Sequence, residues 1–276
     1  MSKKIAIIGY GYVGKGMSNF FKGYYETIVY DPYLAERRLV PSVSKKQVNS
    51  CYASFICVPT TMNEDGSCDI SVVEEIMSWL DTELIVIKST VAVGTTEKLA
   101  KRYGTHSEDG TTNVIFSPEY IGESTYWTPY TFHKDMRETP FYAFGGDEVT
   151  CNKAIELFLP VAGPCKTYHI TDSKTAEMAK YVENTFYATK IAFCNEIYDV
   201  CESMDIHYNQ VRELWLLDPR LNKMHTAVFK DNRGFGGKCL PKDTSAMVKM
   251  AEKAGVEPHL LKGVLSANKR VRGTDE

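Results

Sequence analysis

Cys239 stands in GFGGKCLPKD, residues 234–243, with three glycines and a proline around it and lysines at 238 and 242. A buried structural cysteine needs no such glycines. A reactive thiol needs room for a substrate, and neighbouring ammonium groups or a helix N-terminus favour the thiolate that attacks. A helix is expected to begin near Asp243 or Thr244, where Asp243 either caps it or orients the thiol or a water. A second group lies upstream. Glu177, Lys180 and Asn184 fall at i, i+3 and i+7, one face of a helix. Lys180 and Asn184 can point at one reacting oxygen, where an ammonium stabilises a developing oxyanion. A solvated polar stripe has the same spacing, but YVENTFYATKIAFCN is too apolar for a freely solvated helix.

A third group, Ser117-Pro118-Glu119-Tyr120-Ile121-Gly122-Glu123, follows an apolar run at 113–116. Ligands of doubly wound sheets sit beyond the carboxyl ends of the strands, which places Glu119 and Glu123 for chemistry or substrate contact. Acids at a helix start are also simply favourable. Lys88-Ser89-Thr90 and Cys57-Val58-Pro59-Thr60-Thr61 end two further strands and project to the same edge, where ordinary turn and cap roles suit Ser89 and Thr61.

The elements that must position these groups alternate. Strands are expected near 3–8, 27–30, 54–58, 84–87 and 113–116, with helices from the glycine turn to about Lys22 and over 70–80 and 95–102. Residues 103–112 read as a surface loop and 124–140 as irregular. Further strands are expected near 141–144 and 166–169, with a helix over 148–158 between them. From Asp172 to about Met204 the chain reads as one long helix with Asp172 or Ser173 as N-cap, and helical patterning continues through 209–217 and 245–272. This predicts an α/β fold, a Rossmann-type doubly wound parallel sheet over 1–171, followed by a mostly helical domain over 172–276.

Length and composition agree. The 276 residues suit one large domain or two modest ones, and 43% hydrophobic with 24% charged residues is ordinary for a globular protein. A net charge of -3 argues against a nucleic-acid partner. No apolar run reaches bilayer length, which predicts no membrane partner. The eight cysteines lie mostly in apolar settings without zinc spacing, so buried free thiols, a reducing cytoplasmic compartment and no metal are expected.

GYGYVG, residues 9–14, matches G-x-G-x-x-G between a strand and a helix, with Asp31 ending the next strand. Gly9 makes the tight turn, Gly11 lets the backbone approach a pyrophosphate, and Gly14 allows close helix–strand packing. The helix N-terminus supplies amide donors. Asp31 would accept from ribose hydroxyls and repel a 2′-phosphate, so NAD is expected over NADP.

Taken together, GYGYVG, CVPTT, KSTVAVGTT, SPEYIGES, EMAKYVENTFYATKIAFCNEI, LDPR and GFGGKCLPKDT resemble the UDP-glucose/GDP-mannose dehydrogenase family, in that family's order from residue 5 to about 245. The resemblance implies oxidation of a sugar-nucleotide primary alcohol to a carboxylate with two NAD in succession. It makes Cys239 the nucleophile that forms a thiohemiacetal and then a thioester. Lys180 and Asn184 would stabilise oxyanions, Asp243 assist the water or base chemistry, Glu119 act as a candidate base for hydrolysis, and Thr90 position a water. Glu123 would belong to the same polar cluster.

The resemblance assigns cofactor contacts to Gly9, Gly11, Tyr12, Val13, Gly14, Asp31, Val58, Pro59, Thr60, Thr90 and Glu123. Substrate contacts fall to Glu119, Tyr120, Ile121, Lys180, Asn184, Phe235, Gly236 and Gly237. Arg220, in LDPR, resembles an arginine that reaches the neighbouring subunit's substrate, which implies a homodimer. UDP-glucose is the expected substrate, and a uronic acid for surface polysaccharide the expected product. The chain ends at Glu276, partway along what resembles the family's central helix, so the second α/β domain that grips the nucleotide is expected to be shortened or absent. Between Arg220 and Gly234 the chain also looks longer than the family pattern. Two other readings stay open on the residues alone: a one-step hydroxyacid dehydrogenase of the 6-phosphogluconate or 3-hydroxyisobutyrate type, and a protein that binds NAD or a sugar nucleotide without turnover.

Overall fold

The computed structural model describes residues 3–106, 111–122 and 135–273. The first part of the chain runs β1 (Lys4–Ile8), α1 (Tyr12–Phe21), β2 (Glu26–Tyr30), α2 (Pro32–Glu36), α3 (Lys45–Asn49), β3 (Ala53–Ile56), α4 (Ser71–Met77), β4 (Leu84–Ile87), α5 (Thr95–Tyr103) and β5 (Val114–Phe116). It continues through β6 (Phe141–Gly145), α6 (Glu148–Ala162) and β7 (Thr167–Thr171). The helical part holds α7 (Ser173–Ser203), α8 (Tyr208–Trp215), α9 (Leu240–Lys253) and α10 (His259–Arg272).

The seven strands form one sheet in the order β2-β1-β3-β4-β5-β6-β7. Every pairing is parallel except β5 with β6. ASFI, LIVI and VIF are buried throughout because helices cover both faces of the central strands, which is why they read as unbroken apolar runs. The strands at the two ends of the sheet, β2 and β7, carry no buried residue. On one face Phe20, Phe21, Phe55, Tyr142 and Phe158 pack as an aromatic cluster with ring centroids 4.8–6.1 Å apart.

The chain divides into two compact units, Met1–Thr61 with Asp69–Lys180, and Met62–Cys68 with Tyr181–Glu276. The division falls inside α7, which is continuous through it. Asp172 caps this helix, its Oδ1 accepting from Thr175 N at 2.9 Å. In the second unit Ala188 and Ala192 pack on Phe235 and Val264, while Cys194 and Cys201 pack on Tyr208.

Two expectations change here. Helical patterning over 245–272 is broken between α9 and α10 at residues 254–258. Gly255 takes φ +78 there, and Pro258 precedes α10, the usual exit glycine and following proline. And α9 begins at Leu240, not near Asp243: Pro241 lies in its first turn, where a missing N–H leaves no bond unmade.

Candidate active site

In the cofactor half, geometry explains each glycine. Gly9 has φ +84, and a Cβ there would stand 2.8 Å from the Cys57 carbonyl oxygen. A Cβ on Gly14 would stand 2.0 Å from the Gly9 oxygen, so α1 can approach β1 only without one. Gly11 has no neighbour within 4 Å of its missing Cβ and caps α1 without a side-chain hydrogen bond. The first-turn amides of α1, including those of Tyr12 and Val13, are therefore offered to an anion rather than to a side-chain cap. From β1 the chain passes first to β2 on one side and then to β3 on the other, so the glycine turn lies at the topological switch point. Asp31 ends β2. Its Oδ2 accepts from Tyr10 N at 2.9 Å and its Oδ1 from Leu34 N at 3.1 Å, which holds the carboxylate beside the glycine turn and leaves lone pairs for hydroxyl donors. These residues fit a dinucleotide: a side-chain-free approach, uncapped amides and a fixed acid.

The loops after β3 and β4 are tied together. Ser89 Oγ donates to the Val58 oxygen at 2.7 Å and to the Ile56 oxygen at 3.2 Å, and Thr60 Oγ1 donates to the Thr90 oxygen at 2.8 Å. Val58 is buried, Pro59 exposed, and Thr60 and Thr90 half-buried. Tyr12 donates its hydroxyl to the Gly122 oxygen, joining the start of α1 to the loop that carries Glu119.

That loop holds a buried ion pair that sequence reading did not assemble. Lys88 Nζ lies 3.3 Å from Glu119 Oε2, with side chains 2% and 9% exposed. Lys88 also donates to the Pro118 oxygen at 2.9 Å and to Ser117 Oγ at 3.4 Å. Glu119 Oε1 accepts from the amides of Tyr120 at 2.8 Å and Ile121 at 3.0 Å. Half-buried Tyr120 packs on Phe141, and the ammonium of Lys180 lies 5.0 Å from its ring centroid. Half-buried Ile121 packs against the aromatic face of the core. Glu123 lies outside the described residues.

Glu177 does not share the direction of Lys180. Fully buried, it accepts from Gly94 N at 2.5 Å, Thr96 N at 2.8 Å and Thr96 Oγ1 at 2.6 Å, capping α5. Burial raises its carboxyl above the ordinary glutamate range, and the three donors act against that rise. Its place in the i, i+3, i+7 series is structural.

In the second unit Cys239 is the N-cap residue of α9 and is exposed. Asp243, expected as a possible cap, is instead in the first turn and 1% exposed. It accepts from Asn184 Nδ2 at 2.6 Å and pairs with Lys242 Nζ at 2.5 Å. Asn184 and Lys180 stand one turn apart on α7. The GFGG turn is held from outside: Asn268 Oδ1 accepts from Phe235 N at 2.7 Å, and Asn268 Nδ2 donates to Phe235 O at 2.9 Å. Asn195 Oδ1 accepts from Gly234 N at 3.1 Å and from Arg233 Nε at 2.7 Å. Gly234 has φ +71, and a Cβ there would stand 2.4 Å from Asn268 Oδ1. Phe235 is buried, Gly236 lies against the Arg272 guanidinium, and Gly237, at φ +78, is exposed. Arg220 is exposed and pairs with Asp218 at 2.6 Å, an acid two residues away. Lys88, Lys242, Asn195 and Asn268 were missed as site residues. Only Lys88 and Lys242 had a signal, as charged residues inside motifs already singled out.

All eight cysteines are free, and only Cys165 and Cys239 are exposed. Burial pushes the Cys57 and Cys151 thiols up to about 12. Among the described residues no cluster of His, Cys, Asp or Glu could hold a metal ion, and no helix is long and apolar enough to cross a membrane.

A mostly parallel sheet with a glycine turn at its switch point and an acid ending the second strand defines a Rossmann-type dinucleotide-binding domain. The chain belongs to the UDP-glucose/GDP-mannose dehydrogenase family: residues 23–158 match its NAD binding domain and residues 174–270 its central domain. It is 34% identical over 221 residues to the UDP-glucose 6-dehydrogenase YwqF of Bacillus subtilis, covering 78% of this chain and 48% of that protein. It is 29% identical over 309 residues to TuaD, a UDP-glucose 6-dehydrogenase of the same organism, covering 98% of this chain and 64% of that one. The chain thus spans about half to two thirds of the length of these relatives. A UDP-glucose dehydrogenase from Pyrobaculum islandicum superposes with a TM-score of 0.82 at 25% identity, over 98% of this chain and 68% of that one.

Proposed function

We propose that this chain carries the machinery for NAD-dependent oxidation of a nucleotide-sugar primary alcohol to the carboxylate, with UDP-glucose converted to UDP-glucuronate. The observation that carries the reading is the setting of Cys239. It is an exposed thiol at a helix N-cap, between glycines held in φ-positive turns and a buried Asp243–Asn184 pair that Lys242 joins. The relatives' substrate, named as UDP-glucose, supports the choice of sugar nucleotide.

The glycine turn, the α1 amides and Asp31 would hold NAD, which would supply the two-electron acceptor for each of the two oxidations. Everything else falls to the chain. Cys239 Sγ adds to the aldehyde carbon formed in the first oxidation, giving a thiohemiacetal whose oxygen Lys180 and Asn184 stabilise. The second oxidation leaves a thioester on Cys239. Water then attacks the acyl carbon, its proton passes to a carboxylate, the C–S bond breaks, and the sulfur leaves as thiolate. Glu119 is assigned as that base, Asp243 as the group that orients Asn184 and the water, and Thr90 as a water-positioning residue. Phe235, Gly236 and Gly237 would line the sugar.

A homodimer belongs to the same reading, with Arg220 reaching the partner's substrate. The exposed Val182, Phe186, Phe193 and Val200 on α7 support a second copy packed there. The eight free thiols accord with a reducing, cytoplasmic setting, where the product would serve polysaccharide synthesis.

The test is NADH formed per UDP-glucose consumed, with wild type and Cys239→Ala side by side. Two NADH per sugar, lost in the variant, is the expected result. One NADH insensitive to the substitution would leave a simple dehydrogenase. NAD binding without turnover of any sugar nucleotide would leave a binding protein.

A further inference from the structure

Two glycines of the Cys239 turn make room for one side chain. Arg272, at the end of α10, runs along the turn from Gly234 to Gly236. A Cβ on Gly234 would stand 3.2 Å from Arg272 Cγ. A Cβ on Gly236 would stand 3.1 Å from Arg272 Cζ, Nη1 and Nη2 alike, so the guanidinium lies face-on to that glycine. Gly237 differs: it is exposed, and nothing lies within 4 Å of where its Cβ would be. The turn gives up side chains at 234 and 236 to admit a guanidinium, and keeps 237 open.

The same helix fixes the arrangement. Asn268, four residues before Arg272, is buried and bonds both the amide and the carbonyl of Phe235. Residues four apart share a helix face. The clamp that registers α10 on the turn therefore also delivers Arg272 to it.

The neighbouring arginines have an acid. Arg233 Nη2 lies 2.7 Å from Asp199 Oδ1, and Arg270 Nη1 3.1 Å from Asp199 Oδ2. Half-buried Arg272 has none among the described residues, where its one hydrogen bond runs from Nη1 to the Arg233 oxygen at 3.3 Å. A guanidinium carries five N–H donors in one plane, so most of them stay open. Basic residues in a last helical turn do suit the helix dipole, as Lys269 and Arg270 do here. That effect asks nothing of Gly236. A partly desolvated cation without a counter-charge, laid along the turn that leads to the thiol, suits an anionic ligand.

We propose that Arg272 is a substrate-binding residue that holds the diphosphate of the nucleotide sugar. The inference rests on the proposed function, in which the sugar lies at the turn and its C6 reaches Cys239. Gly236 and Cys239 are three residues apart, at most about 10 Å along the chain, so one sugar nucleotide can reach both. The negative charge of such a substrate lies in its diphosphate, and the planar N–H fork of an arginine matches phosphate oxygens bidentately. Lys238, exposed on the same turn, adds positive potential.

The test titrates UDP and UDP-glucose into wild type, Arg272→Ala and Arg272→Lys. Affinity for both ligands should fall by about 10-fold or more in Arg272→Ala, the scale of hydrogen bonds to a charged group. Arg272→Lys, which keeps a charge but not the fork, should lose less. In turnover KM should rise with kcat kept, as when an interaction is equal in the ground and transition states. NAD affinity should not change. Alkylation of Cys239 by iodoacetamide, followed on its peptide by mass spectrometry, should keep the wild-type rate, because Asn268 still holds the turn.

If wild type binds neither UDP nor UDP-glucose, the proposed function fails and the inference with it. If wild type binds both and Arg272→Ala binds them as tightly, the inference alone fails. A fall in NAD affinity with sugar-nucleotide affinity kept would give the guanidinium to the cofactor and overturn it. A change in the alkylation rate of Cys239 would also overturn it, since Arg272 would then shape the turn and not hold the diphosphate.

Discussion

The two units hold their chemistry by different means. In the first, position comes from the sheet. The glycine turn, Val58–Thr60, Lys88–Thr90 and Ser117–Ile121 all leave adjacent strand ends, and their mutual placement follows from register. In the second unit the described residues form no sheet. The Cys239 turn is held by side chains from elsewhere, Asn268 and Asn195 on the backbone of Gly234 and Phe235, and Asn184 on Asp243. A site built on strand ends is robust to most single side-chain changes and sensitive to a glycine. A site built on polar clamps is sensitive to each clamp.

The largest expected effect removes the thiol. Cys239→Ala should lower formation of the carboxylate by about 10³-fold or more, as loss of a nucleophile does elsewhere, with NAD affinity and thermal stability unchanged. A loss of NAD binding would break the separation of the two units' roles. Next comes Gly9→Ala, which forces a positive φ on a residue with a Cβ 2.8 Å from the Cys57 carbonyl. Strain of about 1–3 kcal/mol is expected from the dihedral alone, read as a lowered unfolding midpoint and weaker NAD binding. Asn268→Ala should leave the buried amide and carbonyl of Phe235 unpaired, at about 1–3 kcal/mol for each such group. The variant should keep its NAD affinity while its sugar-nucleotide KM rises, and Asn268→Asp should restore only the bond to Phe235 N.

A smaller effect, dependent on pH, is expected from two buried thiols of the first unit. The Cys57 and Cys151 thiols ionise near 9.0 in an ordinary setting and at about 12 in the fold. Their neutral form is favoured by folding, so their contribution is intact below pH 9 and is lost as pH rises from 9 towards 12. The slope is at most about 1.4 kcal/mol per pH unit per thiol. Denaturant titrations at pH 8 and 10 should show the fall, and Cys151→Ala should flatten it. The smallest effect is Arg220→Ala. The exposed pair with Asp218 adds little to stability, so the unfolding midpoint should not move. A rise in KM without such a move would support its reach to a second subunit.

The pattern of strands and helices was legible because central strands buried on both faces read as apolar runs, and α7 reads as a long helix after Asp172. GYGYVG and the acid at Asp31 were legible because steric demands on a glycine turn are local. The start of α9, expected near Asp243 or Thr244, lies at Leu240, because a proline is tolerated in the first turn, where its missing N–H leaves no bond unmade. Glu177 was misread because helical spacing says which residues share a face but not what lies opposite it.

The sequence by itself determined the period of each element, the positions where a Cβ cannot be tolerated, and the family to which the motifs belong. These depend on sterics and burial pattern within a few residues. Only the tertiary structure decided that Lys88 meets Glu119, that Asn268 clamps Phe235, and that Asp243 is buried against Asn184 while Cys239 stays exposed. Those partners lie 31, 33 and 59 residues apart. What joins them is the need of a desolvated charge or amide for a partner, and which partner it finds depends on how strands and helices pack.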